Sequence, residues 1–207
     1  MSDFIEARIH ASLTEERKER AQSMNLDVEL VPPVADLHVR VVQSTEKTAE
    51  TKPQFEAHYS STHNYPRAFK YRQKVMCLFQ QVEGVDVLLF CMYVHEYGSE
   101  QDAPNTRTIY LSYLDSIKYL RPEIEACGRG GISIRTMIYH DILLGYLEWA
   151  RRRGFNAMYI WACPPMAGDD YIMYCHPSRQ KTPRSDKLRD WYLRMLRTGY
   201  EQGKKKI

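Results

Sequence analysis

The stretch YRQKVMCLFQQVEGVDVLLFCMYVHEYG, residues 71–98, limits what this chain can fold into more than any other. Two arms rich in β-branched, apolar and aromatic residues meet at Glu83-Gly84, a pair suited to a tight turn, so the stretch predicts a β-hairpin. Both arms are apolar enough to lie at the centre of a sheet. Along the second arm Tyr93, His95 and Tyr97 alternate onto one face, where sheet packing explains them better than catalysis does.

Further strands lie on either side of the hairpin. Leu37-His38-Val39-Arg40-Val41-Val42 alternates as a strand with one exposed face, His38 being on it. Thr108–Leu114 predicts another, ending at Asp115-Ser116, and a short apolar strand from Met158 runs to Pro164-Pro165. Ser12-Leu13-Thr14-Glu15 is a capping-box pattern that predicts a surface helix over residues 12–24. Val31-Pro32-Pro33-Val34 reads as a connector. Residues 53–68 and 121–131 read as loops. Ser133 caps a long helix, IRTMIYHDILLGYLEWARRR, that stops at Gly154; apolar residues lie nearly all round it, so it is predicted to be buried. A last helix carries Trp191 and Tyr192. The order predicts an α/β fold with a central mixed β-sheet flanked by helices.

Composition narrows the functional classes. The chain has 207 residues, 43% hydrophobic and 27% charged, which suits one soluble domain with a sizeable core. Its longest apolar run, VLLFCMYV, is far short of the roughly 20 residues of a membrane helix. MSDFIEARIH lacks the apolar stretch of a secretory signal. Five cysteines (Cys77, Cys91, Cys127, Cys163, Cys175) contain no CxxC pair, so a reduced intracellular protein without a structural zinc is expected. A net charge of +3 does not by itself indicate nucleic-acid binding. Arg151-Arg152-Arg153 and Lys204-Lys205-Lys206 read as a solvated helix end and tail.

Chemistry concentrates between Met158 and Leu196, where Cys163, Tyr171, His176, Lys181, Trp191 and Tyr192 sit among prolines and around a Gly168-Asp169-Asp170 turn. Asp115 and Ser116 stand at the carboxyl end of a strand, a common ligand position in α/β sheets. Arg135 and Thr136, at the amino end of the buried helix, would join free amide groups and the helix dipole in a phosphate-binding corner. Cys163 and His176 raise a cysteine nucleophile, but no orienting Asn or Asp signature accompanies them.

Seven segments in one order, VDVLLFCMYVHEYGS, YLSYLDS, IRTMIYHDILLGYLE, YIWACPP, GDDYIMYCHP, QKTP and KLRDWYLRML, resemble the catalytic domain of the CBP-type (CREB-binding-protein family) histone acetyltransferases of animals and plants. The resemblance runs from about Leu37 to Leu196. It implies transfer of acetyl from acetyl-CoA, as co-substrate and without a metal, to lysines of histone tails and other proteins. It also implies a nuclear coactivator role, with transcription factors bound through regions outside this chain and neither nucleic acid nor membrane contacted directly. The cofactor positions it implies are Leu114, Asp115, Ser116, Arg135, Thr136, Thr182, Lys187 and Trp191. Tyr192 would be the general acid, with no covalent intermediate. Trp161 would shape the lysine channel, and Tyr139 and His176 would lie near it. Residues 1–34 would be a helix and connector, and residues 35–207 an acetyltransferase domain lacking its C-terminal part.

Departures from the family are local. CGRGG lengthens the loop before Arg135 relative to animal members, as in plant ones. Lys187 stands for an arginine, Thr182 for an isoleucine and Gln73 for a threonine. Because the family domain continues beyond the WYLRML helix, the alternative reading is a catalytically incomplete relic that binds acyl-CoA or a protein partner.

Overall fold

The structure, a computed structural model, describes residues 1–59, 61–62, 66–124, 131–166, 169, 171–174, 176–180 and 182–204. Asn64, most of the CGRGG insertion with Cys127, Gly168, Asp170, Cys175, Lys181 and the last two lysines lie outside them. The elements are α1 (Ser2–Met24), a short 3-10 turn (Val28–Leu30), β1 (Leu37–Glu50), α2 (Pro53–Tyr59), β2 (Ala68–Val82), β3 (Val85–Tyr97), β4 (Thr108–Ser116), α3 (Ile134–Arg152), β5 (Ala157–Ile160) and α4 (Ser185–Lys204).

The hairpin forms β2 and β3. Val82 pairs with Val85, and Glu83 and Gly84 between them both take the left-handed conformation, φ 51° and 81°, as a two-residue turn matched to strand twist requires. The sheet order is β1-β2-β3-β4-β5. Neighbours among the first four are antiparallel, whereas β5 lies parallel to β4 because α3 makes the crossover between them. The sheet is therefore mixed, as predicted.

Met76, Leu78, Phe90 and Met92 are fully buried, and so is most of α3, including Ile138, Ile142 and Tyr146. Ser133 caps α3, its hydroxyl accepting from the Thr136 amide at 3.3 Å. A buried polar group between β3 and α3 is fully engaged: Glu96 takes Lys74 at 2.6 Å and the Tyr146 hydroxyl at 2.8 Å.

Four elements differ from the sequence reading. β5, read as running from Met158 to Pro164-Pro165, spans only Ala157–Ile160. α1 begins at Ser2, not near Ser12, because Ile5 and Ile9 are buried and extend the helix's packed face. Ser12 is mid-helix, and the Thr14 hydroxyl bonds back to the His10 carbonyl at 2.8 Å. This helix lies against α3, where a Cβ on Gly145 would come within 3.2 Å of Ile5 and where Arg8 pairs with buried Asp141 at 3.0 Å. The strand predicted over 37–42 runs on to Glu50, since its polar outer half still pairs in register with β2 as far as Ala68. Within the stretch read as a loop, Pro53–Tyr59 forms α2. Among the described residues no helix is long and apolar enough to cross a membrane.

Candidate active site

Strand alternation puts the two residues at the end of β4 on opposite faces of the sheet. Ser116 is the register partner of Phe90, and Asp115 that of Cys91. On the Ser116 face lies α3, with the Tyr139 ring 5.0 Å from Phe90. Tyr139 is buried, and its hydroxyl lies 3.0 Å from the Leu89 carbonyl and 3.2 Å from that of Ile117. One hydrogen serves these two acceptors in turn, tying α3 to the ends of β3 and β4. Burial pushes the Tyr139 phenol well above its ordinary pKa, and nearby Arg135 offsets only part of that.

Asp115 anchors the segment after β5. Its Oδ2 accepts from the Met173 amide at 3.1 Å, while its Oδ1 accepts from the Ser116 amide at 2.8 Å and meets His176 Nε2 at 2.8 Å. Gln180 adds a second clasp, donating to the Ser116 carbonyl at 2.6 Å and accepting from the Lys118 amide at 2.7 Å. The chain beyond β4 is also held from below, where Gln80 donates to the Arg121 carbonyl at 2.6 Å and accepts from its amide at 2.8 Å.

Beside this strand end, a cavity of about 170 Å³ opens at the amino terminus of α3, lined by Lys118, Leu120, Glu123, Ile124, Ser133 and Arg135. Lys118 and Arg179 converge on Glu123 at 3.0 and 3.4 Å. The hydrogen bond from Lys118 and the nearby arginines hold the Glu123 carboxyl below its usual range. The Arg135 guanidinium lies 5.9 Å from the Tyr139 ring centre.

α4 brings a second group onto α3. Half-buried Trp191 meets the His140 ring edge-on at 4.5 Å and the Tyr192 ring at 5.0 Å. Tyr192 is only 7% exposed, and burial pushes its phenol up to about 12. Burial likewise lowers His140 to about 4, helped by the Arg194 charge.

The predicted residues thus fall into distinct places. Asp115, Ser116, Tyr139, Arg135, Thr136 and His176 meet around the end of β4 and the start of α3, with Leu114 half-buried opposite Met92. Trp191 and Tyr192 pair on α4. Thr182 and Lys187 are exposed just before and within the first turn of α4. Trp161, directly after β5, is 69% exposed. The described hydrogen bonds take the Cys163 thiol to the Pro164 carbonyl at 3.7 Å and His176 to Asp115, which is not the geometry of a cysteine–histidine nucleophile. Lys118, Glu123, Arg179 and Gln180 escaped the sequence reading, although Gln180 opens the QKTP segment. Among the described residues no group of three His, Cys, Asp or Glu could hold a metal ion.

The fold is an α/β core, a mixed sheet flanked by helices, with a cavity lined by Lys118 and Arg135 where β4 ends beside the start of α3. The chain belongs to the histone acetyltransferase domain KAT3 family, whose profile matches residues 29–202. It is 51% identical over 203 residues to histone acetyltransferase HAC1 of Arabidopsis thaliana, covering 98% of this chain and 12% of that protein. Probable histone acetyltransferase HAC-like 1 of rice (Oryza sativa subsp. japonica) is 53% identical over 197 residues, 95% of this chain and 12% of its own length. Protein cbp-1 of Caenorhabditis elegans is 37% identical over 203 residues, 98% of this chain and 9% of its own length. The chain therefore spans a small fraction of the curated relatives it matches.

Proposed function

We propose that this chain is a lysine acetyltransferase that moves acetyl from acetyl-CoA to amines on histone tails and other proteins. The role is nuclear transcription coactivation, with transcription factors engaged through regions outside this chain. The observation that carries the reading is the cationic cavity at the start of α3, beside the Asp115-Ser116 strand end. CoA carries a polyanionic end, and Arg135, Lys118 and the Ser133 hydroxyl are donors suited to phosphate oxygens. Glu123 also lines the cavity and already pairs with Lys118 and Arg179, so a phosphate would have to compete with its carboxylate for them.

In this proposal Leu114, Thr136, Thr182, Lys187 and Trp191 complete the co-substrate surface. Asp115 fixes the segment that covers it through Met173 and His176. Trp161 shapes the lysine channel, with Tyr139 and His176 near it. The neutral lysine amine attacks the thioester carbonyl carbon directly, the carbon–sulfur bond breaks, and the leaving sulfur needs a proton. Tyr192 supplies it. A phenol, with an ordinary value of about 10, keeps its proton at neutral pH and can donate it; burial, which pushes Tyr192 up to about 12, holds the proton on without making it a stronger acid. The lysine ammonium sheds one proton to solvent before attack, the nitrogen releases a second to solvent as the amide forms, and solvent returns a proton to the Tyr192 phenolate; attack is direct, so no protein base and no covalent intermediate are required.

A second reading, an acyl-CoA-binding relic without turnover, draws on the near-complete burial of Tyr192. Calorimetry with acetyl-CoA, followed by transfer to a histone-tail peptide in the same sample, separates the two. Binding with transfer supports the enzyme, binding alone the relic, and no binding removes both.

A further inference from the structure

β2 and β3 place Cys77 directly opposite Cys91, with their sulfurs hydrogen-bonded at 3.5 Å. Both thiols lie on the Asp115 face of the sheet, and Asp115 is the next register partner of Cys91. They are nearly closed from solvent, 5% and 3% exposed, whereas Cys163 is exposed. The acyl-transfer reading uses neither. A single buried cysteine is ordinary core packing; two facing each other on paired positions of central strands form a dithiol.

We propose that Cys77 and Cys91 are a redox modification site, oxidised by a hydroperoxide to an intramolecular disulfide that cross-links β2 to β3 beside Asp115 on the same face of the sheet. Directly paired strand residues hold their Cβ atoms about 4.5–5.5 Å apart, and a disulfide takes about 3.5–4.5 Å. Side-chain rotation and a slight approach of the strands close the remaining distance. The hydrogen bond between the thiols favours one thiolate, lowering Cys77 and raising Cys91, and the thiolate is the reactive form. The Cys77 sulfur attacks one peroxide oxygen. The O–O bond breaks, the departing hydroxide takes a proton to become water, and Cys77 becomes a sulfenic acid. Cys91 then loses its proton and attacks that sulfur, displacing hydroxide as a second water. Two thiols and one hydrogen peroxide give one disulfide and two waters, the sulfurs being oxidised and the peroxide oxygens reduced. This inference does not rest on the acetyltransferase reading.

Both cysteines fall in one tryptic peptide, Val75–Arg107, which holds no other cysteine. The test treats the folded full chain with hydrogen peroxide, blocks remaining thiols with a maleimide, and reads that peptide by mass spectrometry without reduction. The expected result is loss of two hydrogens from the peptide, reversed by dithiothreitol and absent in Cys91→Ser. If the peptide keeps both thiols, or gains only oxygen, while Cys163 is oxidised, the proposal fails. A second comparison needs no variant: the bridge should form faster in the folded chain than in urea, and equal rates would also overturn the proposal.

Discussion

Asp115 joins two parts of the chain with one carboxylate, taking the Met173 amide on one oxygen and Ser116 and His176 on the other. Around it, single side chains carry separable tasks. Arg135→Ala should weaken acetyl-CoA binding by about ten- to a hundredfold, the scale of a charged hydrogen bond, and calorimetry with unchanged affinity would refute the phosphate assignment. Tyr192→Phe should cut transfer by about 10²–10⁴-fold, the usual worth of general acid catalysis, while leaving CoA affinity essentially unchanged. His140 sets a pH dependence of stability. Above about pH 6.5 its imidazole is neutral in both states and contributes no slope. Between that and about pH 4 the unfolded chain takes up a proton that the folded protein refuses. Stability therefore falls with falling pH across this window, by up to about 3 kcal/mol, and levels off below it. Urea unfolding at intervals between pH 7 and 4 should show this loss, reduced in His140→Phe; an unaltered pH profile in that variant would deny the residue its part.

At the scale of elements, the close approach of α1 to α3 depends on Gly145, whose missing side chain leaves room for Ile5 and Arg8. Gly145→Leu should overpack this contact and cost about 1–3 kcal/mol, seen as a lower urea midpoint; an unchanged midpoint would mean that the helices are not held by close packing there. The hairpin, β4 and α3 were legible in the sequence because their apolar patterns and turn or cap residues agree. α1 was read short because Ile5 and Ile9 are two apolar positions in a mostly polar stretch, and only their burial shows that they belong to a packed face. The outer half of β1 was hidden for a related reason: its side chains are polar, and what makes it a strand is pairing with β2. Within the site, Asp115, Ser116 and Arg135 could be found from strand-end and helix-start positions. Gln180 could not, because it works on the backbone of Ser116 and Lys118, 64 and 62 residues earlier.

The whole molecule couples these groups through one sheet. β4 ends between the cavity at the start of α3 and the segment clasped by Asp115 and Gln180, and α3 presents Arg135 at its start and His140, which meets Trp191, five residues later. The chain's modest charge of +3 leaves cationic character to local placement, and Lys118 and Arg135 bring it to the lining of the cavity. The most direct test of this account is acetyl transfer from acetyl-CoA to a histone-tail peptide by the 207-residue chain, read as acetyl-lysine by mass spectrometry. The account predicts acetylated peptide with the unmodified chain and almost none with Tyr192→Phe at saturating acetyl-CoA. Tight co-substrate binding without any acetylated lysine, or equal turnover in the variant, would contradict it.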